Sequence, residues 1–267
     1  MVDIDPAEEL GSDRSHPARV WNYWLGGTDN YPADRAVADA GAEVNPGLPL
    51  MARQCRRFLV RSVRYLAGEA GIRQFLDIGA GLPTMRNTHE VAQAVAPDSM
   101  IVYVDNDPLV LAHARDLLTN TTDEGVTTYL HADVRDPEPL LDDARNVLNF
   151  DRPVAVMLLG ILGHAAPEYD TMRSLISRLM AATCPGSHLV LVDGVETDDQ
   201  TYLAGVERLH EVGHMYQLRT VGQFRACFAG MELVAPGLVP VTRWRPDDDE
   251  EGADAPCSVY GAVGVRR

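Results

Sequence analysis

Five apolar runs, each closing on an acid, an asparagine or a glycine, do most to limit how this 267-residue chain can fold. They read QFLDIG (74–79), MIVYVDN (100–106), TTYLHAD (127–133), VAVMLLG (154–160) and HLVLVDG (188–194). Near-continuous apolar strands are buried on both faces, the habit of a parallel sheet. Helical patterns fill the gaps, near 88–96, 108–119, 137–149 and 168–183. Strands joined by helical crossovers predict an α/β sheet with helices on both sides. FRACFAGMELV and CSVYGAVGV add a helix and two strands, which makes a seven-stranded, mostly parallel sheet. PDDDEEGADAP between them reads as a charged loop, and residues 195–219 as a polar stretch.

Such a sheet binds its ligand beyond the carboxyl ends of the strands, where the strand order reverses. FLDIGAG puts Gly79 and Gly81 there, and glycine lets the backbone turn tightly and approach a ligand. A dinucleotide loop wants a third glycine, but position 84 is Thr84 and Pro83 removes an amide donor. Asn87-Thr88-His89-Glu90 predicts a late helix start, with Glu90 at the third helical position of a capping box. Asp77 adds negative charge where phosphates would sit, so a cationic or zwitterionic ligand fits better and a nicotinamide reductase is disfavoured. Asp105 ends the second strand, where a carboxylate can accept both ribose hydroxyls. Asp133 ends the third, where it can meet an adenine amino group while the Val134 amide faces the ring. An amino-acid end, a ribose, an adenine and no phosphate describe S-adenosylmethionine. Leu82, Thr84, Asn106 and Gly160 complete the predicted cofactor wall.

DIGAG, VYVDNDP and HADVRD resemble the first three motifs of class I S-adenosylmethionine-dependent methyltransferases, a Rossmann-like fold. More narrowly, HPARVWNYWLGGTDNY, FLDIGAGLPTMRNTHEVAQ, YVDNDPLV and MELVAPGLVPVTRWRP resemble an actinobacterial methyltransferase-like family long known only as a domain of unknown function. The resemblance covers almost the whole chain. It implies the fold and the ligand and names no substrate.

The formal charge of −16 repels phosphate backbones, which argues against nucleic acid as a partner. All 23 basic residues are arginine, which excludes lysine Schiff-base chemistry. Cys55, Cys184, Cys227 and Cys257 show no paired spacing and suit a reducing cytoplasm. The opening MVDIDPAEEL lacks the features of a signal peptide, and no run has the length of a membrane span. A cytoplasmic enzyme without membrane contact is expected.

Residues 1–70 read as a helical cap and 71–267 as the cofactor-binding domain, with 1–17 polar and frayed. Within the cap, Trp21, Asn22, Tyr23, Gly26, Gly27, Asn30 and Tyr31 are expected to form a lid over the cleft, hinged at the paired glycines. Arg53, Arg57, Arg61 and Arg64 read as a solvated stripe on one helix. HEVGH (210–214) matches a zinc motif, but Gly213 weakens that helix and no third ligand is evident, so solvent-facing histidines and no metal are expected. His164, just past the fourth strand, is the candidate general base. The expected function is methyl transfer from S-adenosylmethionine to a small molecule. A non-catalytic protein that binds or senses S-adenosylmethionine is the alternative, since no strand-four amino-methyltransferase signature is present.

Overall fold

The computed structural model describes residues 13–82, 86–107, 110, 120–248 and 256–267. Three helices come first: α1 (Pro17–Trp24), α2 (Pro32–Val44) and α3 (Leu48–Gly68). Then follow β1 (Gln74–Ile78), α4 (Thr88–Val95), β2 (Met100–Asp105), β3 (Val126–His131), α5 (Pro137–Ala144), β4 (Ala155–Leu159), α6 (Leu162–Ala165), α7 (Tyr169–Ala181) and β5 (His188–Gly194). The chain closes with α8 (Gln200–Glu211), α9 (Val221–Ala226), β6 (Met231–Leu233), β7 (Val239–Pro240) and β8 (Val259–Arg266).

The sheet runs β3-β2-β1-β4-β5-β8-β6, with β7 paired to β8. Strands β1 to β5 are parallel, and β8 pairs antiparallel with β5, β6 and β7. The sheet thus has eight strands, not seven, because β7 is two residues long and too short to carry an alternating pattern. Helix α8 also departs from the expected polar stretch. It is amphipathic, starts on Asp199, whose side chain accepts from the amides of Thr201 and Tyr202, and buries Tyr202, Val206 and Leu209. The predicted helix 108–119 lies outside the described residues apart from Val110, as does 249–255 of the charged loop. No helix among the described residues is long and apolar enough to cross a membrane.

Alternation along β1 sorts two cores. Leu76 and Ile78 join Val102, Val156 and Leu189 beneath α5 and α7, while Phe75 joins Ile101, Met157 and Val190 beneath α3. With side chains alternating along a strand, Asp77 lies on the α3 side with Phe75. Its strand partners are Tyr103 and Met157, so it ends level with the last turns of β2 and β4.

Helix α3 corrects the solvated stripe. Arg53 and Arg64 are exposed and Arg57 is half-buried, but Arg61 is buried. Its Nε donates to the Trp244 carbonyl at 2.9 Å and its Nη2 to the Val241 carbonyl at 2.5 Å. An arginine fork can satisfy two such carbonyls at once where an alkyl chain cannot. Arg61→Ala leaves both buried carbonyls unpaired, and the expected loss of stability is about 2–4 kcal/mol by urea unfolding. A change below about 1 kcal/mol would show that water replaces the guanidinium.

Candidate functional site

The carboxyl ends of β1 to β4 open into a cavity of about 290 Å³, bordered by residues of α1 and α3. It lies between β1 and β4, where the strand order reverses. Asp77, Gly79, Gly81, Leu82, Asp105, Asn106, Asp133, Val134 and Gly160 all line it. Thr84 lies outside the described residues.

The loop after β1 is tied to β2. The Gly79 and Ala80 amides both donate to the Val104 carbonyl, at 2.8 and 3.1 Å, and the Gly81 amide donates to Asp105 Oδ2 at 2.8 Å. Three successive amides are therefore spent within the protein, and residues 79–81 offer no nest for a diphosphate. Gly79 (φ +74) and Gly81 (φ +65) hold the left-handed conformation that glycine adopts freely. A Cβ at Gly79 would stand 2.5 Å from Ile161 Cδ1, whereas at Gly81 the nearest atom is Ala18 Cβ at 3.9 Å. A side chain at Gly81 therefore enters the cavity between loop and cap. Gly81→Val is expected to abolish S-adenosylmethionine binding in calorimetry at a stability cost of about 1–3 kcal/mol, with the circular dichroism spectrum retained. Normal binding in that variant would move the ligand elsewhere.

Asp77 is buried and accepts a hydrogen bond from Thr88 Oγ1 at 2.6 Å. Thr88 is fixed by the predicted capping box, with the Asn87 amide donating to Glu90 Oε2 at 2.6 Å. Burial raises the Asp77 pKa to about 6, against the Thr88 bond and the positive charge of Arg56. Sequence reasoning missed Arg56, which lines the cavity from α3. The signal was available: Arg56 shares its helix face with Ala52, Leu59, Val60 and Val63, all buried, so it is a charge set within an apolar stripe.

Asp105 Oδ1 accepts from the Asp107 amide at 3.0 Å, and Oδ2 from Gly81. A carboxylate has about four acceptor positions, so two remain for vicinal hydroxyls. Burial raises its pKa against the two amide bonds and the charge of His16.

Asp133 lines the cavity with its carboxylate already engaged. Arg135 clasps it through Nε, at 2.9 and 3.0 Å from the two oxygens, and through Nη2. The Arg135 amide also donates to Oδ1 at 2.9 Å, and these bonds hold the pKa at about 2. The carboxylate is saturated, so an adenine amino group would have to displace a donor that is already in place.

The cap is also tighter than a hinged lid. Only Trp21 and Asn22 of the seven predicted lid residues line the cavity, joined by His16, Pro17, Ala18 and Leu25. His16 belongs to no frayed tail: its Nδ1 lies 3.3 Å from the Ala18 amide and 3.2 Å from Asp107 Oδ2. Arg19 sits buried between Asp34 Oδ1 at 3.6 Å and Asp107 Oδ2 at 3.5 Å, which fastens α1 to α2 and to the end of β2. Tyr23 points away and donates to Asp39 Oδ1 at 3.1 Å. Tyr31 packs under the Arg19 guanidinium, 5.4 Å from its ring centre. Gly26 borders no ligand space, and Gly27 and Asn30 act through Asn22: a Cβ at Gly27 would meet the Asn22 side chain at 2.4 Å, and Asn30 Nδ2 donates to Asn22 Oδ1 at 3.0 Å.

At the β4 end His164 lines the cavity, with Nδ1 2.7 Å from the Met215 carbonyl. Its ring meets His214 and Tyr216 edge-on at 5.1 and 4.8 Å. Burial lowers its pKa to about 4. The HEVGH histidines do not face solvent as expected. His214 is buried against His164, and His210 Nε2 lies 2.7 Å from the Tyr216 carbonyl. No group of metal-ligating side chains occurs among the described residues.

The sequence matches the family described as S-adenosyl methyltransferase over residues 4–267. Among solved structures, a DUF574 family protein from Streptomyces avermitilis is 39% identical, with a TM-score of 0.90 over 97% of this chain and 100% of that one. A candidate methyltransferase from Thermobifida fusca is 40% identical, with a TM-score of 0.89 over 99% and 100% of the two chains. An S-adenosylmethionine-dependent methyltransferase from Anabaena variabilis shares the fold at 14% identity, with a TM-score of 0.50 over 94% and 96%. No curated protein matches the sequence.

Proposed function

The chain belongs to the S-adenosyl methyltransferase family, and we propose that it transfers the methyl group of S-adenosylmethionine to a small molecule held at the β4 end of the cavity. The carrying observation is the placement of α1 and α3 beside the carboxyl ends of the strands, which leaves a partly enclosed cavity there. In this reading residues 1–70 act as a cap and 71–267 hold the cofactor. Family membership makes a purely sensing role the weaker alternative.

Bound S-adenosylmethionine supplies an activated methyl group on a sulfonium. Asp105 receives the ribose hydroxyls, and Gly79 and Gly81 give the methionine portion its close approach. Arg56 and Asp77, both on the cavity wall and each within the other's field, suit the carboxylate and ammonium of the amino-acid end. Trp21, Leu25 and Leu59 exclude water and keep the acceptor near the methyl carbon, where proximity supplies much of the rate. Free cysteines are consistent with a cytoplasmic setting.

The test is turnover: purified protein, S-adenosylmethionine and a small-molecule extract should together yield S-adenosylhomocysteine, and protein with S-adenosylmethionine alone should not. Equal rates with and without extract would remove the transferase reading.

Asp77 makes binding depend on pH. Its folded pKa of about 6 means that it is protonated at pH 5 and must lose that proton to face an ammonium. Affinity for S-adenosylmethionine should therefore rise with pH up to about 6 and then level, falling about tenfold at one unit below. Calorimetry at pH 5, 6 and 7.5 checks this, and Asp77→Asn should flatten the profile.

A further inference from the structure

We infer that Tyr103, with His89, is a positioning residue for cofactor binding: from outside the cavity it holds the first turn of α4, and through Thr88 it fixes the Asp77 carboxylate for the ammonium of S-adenosylmethionine. This rests on the reading above that places Asp77 at the amino-acid end.

The first observation is a phenol that grips one residue twice. Tyr103 lies on β2 and His89 in the first turn of α4, and both are buried. The His89 amide donates to Tyr103 Oη at 2.8 Å, and His89 Nδ1 lies 2.9 Å from the same oxygen. Amides of a first helical turn have no partner within their own helix, so this one takes its acceptor from the sheet. Burial and the Asp77 charge push the Tyr103 pKa well above its usual value, and burial lowers that of His89. The phenol therefore keeps its proton and the ring stays neutral, so the hydroxyl accepts from the amide and donates to Nδ1. The two rings meet edge-on, 5.8 Å between centres.

The second observation is what stands beside that grip. Asp77 and Tyr103 are register partners on adjacent parallel strands, so their side chains share the α3 face of the sheet. Each meets α4. Tyr103 does so through His89, and Asp77 through the preceding residue, Thr88, whose Oγ1 donates to Oδ2 at 2.6 Å. Two neighbouring strands thus hold two successive residues of one helical turn. Asp77 lines the cavity and Tyr103 does not, so Tyr103 acts on a ligand through Asp77.

Thr88 occupies Oδ2 and leaves Oδ1 for the ammonium. A carboxylate held at one oxygen has its plane set before the ligand arrives, and binding then costs less ordering. Arg56 on α3 and Asp105 on β2 act on Asp77 through charge, whereas Thr88 gives it direction. Two apolar residues would pack the space of Tyr103 and His89 without burying polar atoms. What a phenol and an imidazole add is a fixed placement of the turn that carries Thr88.

The experiment is calorimetry on the intact protein with two ligands. S-adenosylhomocysteine carries the amino-acid end; methylthioadenosine lacks it and keeps the ribose and adenine. Tyr103→Phe removes the hydroxyl alone. It should weaken S-adenosylhomocysteine about tenfold and leave methylthioadenosine within about twofold. Thr88→Val should do the same, and the double variant should bind no more weakly than the weaker single one, as residues acting through one chain do. Thr88→Ser keeps the hydroxyl and should bind like the parent. Equal weakening of both ligands by Tyr103→Phe, or of neither, makes the phenol ordinary core and overturns the inference. Should Tyr103→Phe fail to fold, His89→Leu keeps the amide bond, removes that of the ring, and answers to the same comparison. Asp77→Asn separates the two readings. If it weakens S-adenosylhomocysteine selectively and Tyr103→Phe does not, Asp77 stays at the amino-acid end and only the positioning role falls. If it shows no selective loss, both fall.

A pH profile gives a second readout and needs S-adenosylhomocysteine alone. The groups acting on Asp77 are Thr88 from α4, Arg56 from α3 and Asp105 from β2; Tyr103 stands beside it, and Glu90 bears on Arg56 and His89. The Thr88 bond holds the Asp77 pKa down against burial, and affinity needs the ionised acid, so affinity is lost as pH falls. A looser Thr88 in Tyr103→Phe should move that loss to higher pH. An unmoved profile overturns the inference.

Discussion

Asp105→Ala is expected to weaken S-adenosylmethionine binding at least about 100-fold, near 3 kcal/mol, because hydrogen bonds to a charged acceptor are worth about 1.5–3 kcal/mol each. The substitution acts twice. It removes the proposed acceptor of the ribose hydroxyls, and it frees the Gly81 and Asp107 amides that Asp105 now holds at 2.8 and 3.0 Å. The glycine loop then loses one of its ties to β2, although the Gly79 and Ala80 amides remain on Val104. Calorimetry on the variant should show the loss while thermal unfolding remains cooperative. An affinity within threefold of the parent protein would take Asp105 out of the site.

The second large effect belongs to Arg19. Removing one partner of a buried ion cluster leaves uncompensated charge, and Arg19→Ala is expected to cost about 3–5 kcal/mol of stability. Arg19 is 4% exposed, and its carboxylate partners Asp34 and Asp107 are 0% and 2% exposed. The consequence is local as well as global. Arg19 joins α1 to the end of β2, so its loss should speed hydrogen exchange across residues 18–40 before the sheet is affected. Adding Asp107→Asn should restore part of the stability by removing a stranded charge. A loss below about 1 kcal/mol would mean that water already solvates the cluster. In the parent protein this clamp favours slow exchange across 18–40 without ligand, the behaviour of a seated cap.

The sheet and its ligand edge were legible because they rest on short-range rules. Strands β1 to β5 announce themselves as apolar runs, and Asp77, Asp105 and Asp133 fall within two residues of the ends of β1, β2 and β3, which is why they reach one cavity. The capping box at Asn87 and Glu90 was legible for the same reason, since it spans a single turn. What was harder to read depends on side-chain partners, most of them distant in sequence, although Arg135 lies only two residues from Asp133. Arg61 looks like a surface charge until Trp244, 183 positions away, presents its carbonyl. Asp133 reads as a free acceptor until Arg135 folds back onto it. The aromatic segment reads as a hinged lid because nothing in its own residues reveals that Arg19 meets Asp107. Tyr23, Gly26, Gly27, Asn30 and Tyr31 do not line the cavity, and Tyr23, Gly27, Asn30 and Tyr31 instead meet Asp39, Asn22 and Arg19.

The central claim is that the cavity at the ends of β1 to β4 seats S-adenosylmethionine with its ribose on Asp105. The most direct measurement is a crystal structure of the protein grown with S-adenosylhomocysteine. The account predicts both ribose hydroxyls within about 3.2 Å of the Asp105 carboxylate, the amino-acid end beside Gly79, Gly81, Asp77 and Arg56, and the sulfur directed toward the β4 end where His164 lies. A nucleoside bound elsewhere, or a ribose making no contact with Asp105, would contradict it.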